Sequence, residues 1–124
     1  MTSPTEKTLK ALRDRGLKVG IVERWIPGAR IRKDLFGIID IIATAPGAGI
    51  IGVQSTGTGF SEHVKKLMEN RQACIDWLSS TPDAHLELYG WRKLKVKRGG
   101  KAMKYEARIK EFTLEDFIED PLKL

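Results

Sequence analysis

One acid set among isoleucines constrains this chain more than any other feature. The stretch Leu35–Thr44 (LFGIIDIIAT) is densely apolar and rich in β-branched residues. That pattern predicts a strand buried on both faces, with Asp40 at its centre. A carboxylate buried there without a partner costs several kcal/mol. The fold must therefore bring it a metal ion, a basic side chain such as Arg32, or a cluster of donors. Side chains alternate along a strand, so Asp40 shares its face with Ile38 and Ile42.

The elements around this run follow from local signals. Ser3-Pro4-Thr5-Glu6 places a cap residue, a proline at the first helical position and a glutamate at the third, which predicts a helix over 3–16 ending at Gly16. Leu17–Trp25 alternates as a strand and is broken by Pro27-Gly28. Pro46–Gly49 makes a turn, and Ile50–Thr56 is a second central strand. Phe60–Ser79 carries apolar residues at helical spacing, Cys74 among them on the apolar face. From His85 the chain alternates again, with Leu86, Leu88, Leu94 and Val96 facing one way and His85, Glu87, Lys93, Lys95 and Lys97 the other. Arg98-Gly99-Gly100-Lys101 is a hairpin turn, Met103–Ile109 the return strand, and Thr113–Asp120 a short final helix. The order is helix, three strands, helix, two-stranded hairpin, helix. The class is α/β with a mixed central sheet flanked by helices, in one domain of 124 residues.

Charge points to a partner. Lys and Arg outnumber Asp and Glu by 22 to 16, and the surplus is concentrated. Residues 91–110 hold nine basic residues (Arg92, Lys93, Lys95, Lys97, Arg98, Lys101, Lys104, Arg108 and Lys110) against Glu106 alone. That net of +8 exceeds the +6 of the whole chain, so the hairpin has the asymmetry of a ribbon that tracks phosphates. Trp91 and Tyr105 interleave it, available for sugars, bases or each other. Arg30, Arg32 and Lys33 form a smaller basic patch just ahead of Asp40. A charged edge also protects a sheet from aggregation, which is the plainer reading of the hairpin. No apolar run is long enough for a membrane span. The opening MTSPTEKTLK lacks the apolar core of a secretory leader, and Cys74 is the single cysteine. A reducing, cytoplasmic setting is the expectation.

Pairing through the Pro46–Gly49 turn would bring Asp40 close to Gln54, with Thr56 on the same face as Gln54. A carboxylate beside an amide carbonyl offers hard oxygen ligands suited to Mg²⁺ or Mn²⁺, the cations of phosphodiester hydrolysis.

The run F-G-I-I-D-I-I-A, a glycine-containing turn and G-V-Q-S-T resemble the core of the PD-(D/E)XK nuclease superfamily. The order of elements is similar to that of archaeal-type Holliday-junction resolvases, over roughly residues 3–97. The resemblance implies a restriction-endonuclease-like core, a metal-dependent DNA endonuclease acting on branched DNA, and a homodimer that cuts two strands. It also implies a site. Glu6 takes the helix acid, Asp40 the metal aspartate and Gln54 the second acid's place, so Glu6, Asp40 and Gln54 would hold the cation. Thr56 stands where the family has lysine, and a lysine from elsewhere must replace it: Lys65 or Lys66 on the following helix, or Lys33.

Plainer roles compete at most of these positions. Glu6 completes a capping box, Gln54 satisfies backbone groups at a sheet end, and Glu23 is a third ligand or a solvated acid. His63 reads as a surface histidine before a general base. At the level of function, a DNA-binding module that kept the fold and lost the lysine is the main alternative. A subunit whose ribbon binds an acidic protein is the other, and it alone predicts no salt-dependent DNA binding.

Overall fold

Ser3 starts the first helix as its sequence requires. In the computed structural model, which describes residues 3–118, its hydroxyl accepts the Glu6 amide at 3.1 Å, with Pro4 opening α1 (Pro4–Asp14). Leu9 and Leu12 point into the protein, each contributing roughly 2 kcal/mol of burial. The chain turns at Gly16 into β1 (Lys18–Ile21).

The expected strand Leu17–Trp25 does not run through. The amides of Val22 and Glu23 leave the ladder and donate to the Asp40 carbonyl at 2.8 and 3.2 Å. The chain then forms a separate arm, β2 (Arg24–Ile26) paired antiparallel with β3 (Ile31–Lys33). Pro27-Gly28 is therefore the tip of a hairpin, and the Arg30–Lys33 patch is its return strand.

Nor is Leu35–Thr44 a single strand. Leu35 and Ile39 bridge each other across a tight turn whose corner residues, Phe36 and Gly37, have φ of 56° and 77°. Glycine adopts that conformation freely and phenylalanine does not, so the turn is held by its surroundings. Asp40 follows the turn, and the strand proper, β4, is Ile41–Ala45. The isoleucine run is buried as expected, with Ile38, Ile39 and Ile41 fully covered. Asp40 stands at the mouth of the strand rather than in its middle.

β4 pairs antiparallel with β5 (Gly49–Thr56) through the expected turn. Gly49 has φ of 74°, and a Cβ there would lie 2.1 Å from the Asp83 carbonyl oxygen, which accepts the Ile50 amide. The predicted helix Phe60–Ser79 is two helices, α2 (Phe60–Glu69) and α3 (Arg71–Ser79). Asn70 leaves the helical region and its amide side chain donates to the Lys66 carbonyl at 2.9 Å, a competition with the backbone that asparagine wins easily. β6 (Ala84–Lys95) then runs parallel to β5 and returns as β7 (Met103–Phe112). Thr113 caps only a short 3₁₀ turn, Leu114–Asp116, in place of a longer helix; residues 119 and 120 of that expectation lie outside the described residues.

The protein is α/β, with a five-stranded mixed sheet in the order β1-β4-β5-β6-β7. One face is covered by α1, with Leu9 and Leu12 on Ile41, Val53 and Tyr89; the other by α2 and α3, with Leu67 and Cys74 among Ile39, Leu86 and Leu88. Burial pushes the Cys74 thiol up to about 11, so it is inert. Among the described residues no helix is long and apolar enough to cross a membrane.

Candidate metal centre

Asp40 is pinned by its backbone before its side chain does anything. Its amide donates to the Val53 carbonyl on β5, and its own carbonyl receives the Val22 and Glu23 amides. This brings Glu23, at the root of the β2–β3 arm, beside Asp40. The turn at Phe36-Gly37 folds Asp34 back to the same place. Carboxylate oxygens of Glu23, Asp34 and Asp40 lie within 4.8 Å of one another.

Each member of this group is held from outside. The Ser55 amide donates to Asp40 Oδ2 at 2.9 Å. Ser55 is itself placed by a hydroxyl contact of 2.8 Å to Thr8 on α1, and Thr8 Oγ1 also receives the Trp91 indole N–H at 2.8 Å. The Lys66 ammonium donates to Asp34 Oδ2 at 2.6 Å and the Gln54 amide donates to the same oxygen at 3.0 Å. Arg32 pairs with Glu23 at 3.0 Å. Among the described residues, no lysine or arginine forms an ion pair with Asp40.

The electrostatics follow from this arrangement. Burial, reinforced by the neighbouring Asp34 carboxyl, pushes Asp40 up from 3.8 to about 7. Burial opposes charge on Asp34 too, but hydrogen bonds from the Asp40 carboxyl, Lys66 and Gln54 outweigh it and hold Asp34 down at about 2. The pair therefore keeps one proton into the neutral range. Burial and nearby Lys66 drive His63 towards its neutral form.

One buried polar atom has no partner where it would matter. Gln54 is 1% exposed, and its Oε1 receives no hydrogen bond, although buried oxygens are nearly always paired. The amide group carrying it is the one bonded to Asp34. The three carboxylates make an all-oxygen donor set, which fits a hard divalent cation such as Mg²⁺ or Mn²⁺.

Asp40 and Gln54 do come together. Glu6 lines a cleft of about 580 Å³ with Glu23, Arg32, Asp40, Ser55 and Thr56, but its carboxylate is outside the three-acid group, and its amide serves the helix cap. Thr56 ends β5 buried at the cleft wall and brings no charge. Lys65 is exposed and faces Glu69 at 4.0 Å on its own helix; its neighbour Lys66 is the lysine that reaches the acids. Lys33 is exposed on the arm. Arg32 neutralises Glu23 and not Asp40.

Asp34 was not legible as a site residue. Six residues of extended chain would separate it from Asp40 by about 20 Å. The signal for its return is the glycine of Phe36-Gly37, which marks a turn inside an otherwise strand-like run.

The register also locates the basic ribbon. Thr56 pairs with Gly90, so β6 beyond Trp91 and its partner β7 project past the end of β5 at which Gln54 and Ser55 meet Asp40. Arg92, Lys93, Lys95, Lys97, Arg98, Lys101 and Lys104 are all exposed on this projection. Its aromatics are occupied: Trp91 is anchored to Thr8, and Lys7 lies 3.6 Å over the Tyr105 ring. Arg24, Arg30, Arg32 and Lys33 make the β2–β3 arm, residues 24–33, a second basic element with no acid of its own. The acids thus lie at the root of one basic arm and at the end of β5 past which the other projects.

Fold and site together describe an α/β protein with a shielded cluster of oxygen donors flanked by basic arms. Compared with known protein families, curated proteins and solved structures, the chain matches none.

Proposed function

We propose that the protein is a metal-dependent DNA endonuclease with a restriction-endonuclease-like core of the PD-(D/E)XK kind, working in the cytoplasm as a homodimer on branched DNA. The observation that carries this reading is the meeting of Glu23, Asp34 and Asp40, with the buried Gln54 amide beside Asp34 and its Oε1 unpaired. Such a set has a further reason to persist if a cation joins it, since buried Asp40 has no ion-pair partner among the described residues and a buried bare oxygen is penalised. In this reading Glu23, Asp34 and Asp40 would hold Mg²⁺ or Mn²⁺ with the Gln54 amide beside them, while Glu6 takes part in the helix cap through its backbone amide alone.

A divalent cation held there would lower the pKa of a water and offset charge on the attacked phosphate. The chain's own residues do the rest. On loading, the proton that Asp40 shares with Asp34 would pass to solvent through the cleft, and the Ser55 amide keeps the Asp40 carboxylate oriented. Asp34 holds Lys66 with its ammonium at the acid cluster, where it takes the place of the missing motif lysine and faces the charge that develops on the phosphate. The two ribbons bind the strand through its phosphates and so position it without reading sequence.

Thr56 favours a second reading: a DNA-binding module with the same fold and no cleavage, in which Lys66 only neutralises Asp34. Incubation with linear, nicked and four-way DNA in Mg²⁺, Mn²⁺ or chelator separates the two. Cleavage that needs the cation and is lost in Asp40→Asn supports the endonuclease. Salt-dependent binding with no product in any condition supports the module, and no DNA binding at all refutes both.

A further inference from the structure

Among the described residues, Trp25 is the tryptophan that the scaffold leaves free. Of the three tryptophans, Trp77 donates its indole N–H to the His85 carbonyl and Trp91 donates to Thr8, each at 2.7–2.8 Å. Trp25 is 54% exposed, and among the described residues no ring, cation or hydrogen-bond acceptor engages it. A lone exposed apolar side chain is ordinary; its surroundings are what give this one meaning. On the β2–β3 arm Trp25 stands directly across from Arg32, and Arg32 grips Glu23, one of the three clustered acids. Ile21, Glu23, Trp25 and Arg32 line one open recess of about 310 Å³. Ile21 contributes a second exposed apolar surface there, at 55%.

A flat apolar ring beside a guanidinium, two residues along the chain from a candidate cation ligand, suits a group that is flat, apolar on its faces and attached to a phosphate. We propose that Trp25 is a stacking platform for an unpaired base adjoining the scissile phosphate, so that the preferred substrate is DNA with an unstacked nucleotide at the cut, over continuous duplex. This deepens the endonuclease reading and rests on it. The arm supplies complementary charge through Arg24, Arg30, Arg32 and Lys33, and a base is the part of a strand that a tryptophan face recognises whatever its sequence. In duplex DNA the bases are already stacked on one another, and Trp25 would gain nothing. Trp25 acts here as a positioning residue: it fixes the strand and touches no reacting atom.

The test is binding without cleavage. Wild type, Trp25→Ala and Trp25→Phe are titrated in chelator with one mixed-sequence DNA as single strand, as duplex, and as duplex with an unpaired central nucleotide. The readouts are affinity and tryptophan fluorescence. Trp25→Ala is expected to weaken binding to the single strand and to the unpaired site by roughly 5- to 150-fold, with duplex affinity unchanged within about twofold. Trp25→Phe keeps most of the affinity, and the DNA-induced quenching of wild type disappears in both variants. Equal affinities of wild type and Trp25→Ala for the unpaired substrates overturn the proposal, as does an equal loss on duplex. The readout is separable from catalysis. Quenching and selective loss without Mg²⁺-dependent cleavage would sink the nuclease and leave the platform, whereas cleavage with no effect of Trp25→Ala would sink the platform alone.

Discussion

Replacing Asp40 with asparagine should make the metal-free protein more stable, although it removes a buried hydrogen-bonding acid. The asparagine side chain is nearly the shape of a protonated aspartic acid: its oxygen still accepts the Ser55 amide and its amide still donates towards Asp34. What it cannot do is ionise. In wild type, burial and Asp34 raise the Asp40 carboxyl to about 7, while in the unfolded chain it ionises near 3.8. Between those values the folded state binds the extra proton, so stability falls as pH rises from about 4 to about 7 and levels off above. Roughly three pH units at about 1.4 kcal/mol each set a ceiling of about 4 kcal/mol. The site opens on the cleft, and solvent there screens part of this, so about 2 kcal/mol is the expected gain. The assay is urea unfolding of both proteins in chelator across that range. The two curves should coincide near pH 4 and separate as pH rises. Saturating Mg²⁺ should then stabilise wild type more than Asp40→Asn, because the variant has one fewer carboxylate to offer the cation. A wild-type stability that stays flat across the window, or a variant less stable than wild type above about pH 7, would refute the picture of a shielded carboxyl pair.

Two other outcomes follow from the same geometry. Lys66→Met should lower the single-turnover cleavage rate by about 10²–10³-fold with DNA affinity nearly unchanged, and Lys65→Met should leave both alone; parallel rate and binding measurements check this. Changing Lys95, Lys97 and Lys101 together to glutamine should reduce the slope of log K against log salt by about 0.9 for each phosphate no longer neutralised. That reduction should be similar for unrelated duplex sequences, as measured by anisotropy titrations over a range of salt.

How much of this was legible varies by element. The α1 start was readable because Ser3-Pro4 and Glu6 act within one turn, and helix capping is local. The β6–β7 hairpin was readable because alternation continues on both sides of Arg98–Lys101, and the faces assigned to Leu86, Leu88, Lys93 and Lys95 are those the register shows. Where local rules compete, reading failed. Asn70 interrupts a helix that apolar spacing alone would continue, and Phe36 adopts a conformation its type disfavours. The amides of Val22 and Glu23 abandon a strand to reach a carbonyl far along the chain.

Read along the chain alone, the residues establish an α/β class, an Asp40 in need of a partner, and the places where positive charge gathers. Those properties depend on periodicity, burial cost and composition, each readable within a short window. Which partners Asp40 has is settled by packing. Asp34 arrives through a turn held by its surroundings, Glu23 through backbone bonds to Asp40 itself, and Lys66 from a helix that approaches the sheet from the opposite face to α1. A donor cluster is a property of distances between segments, and those distances are set by the whole packed sheet, which no local pattern encodes.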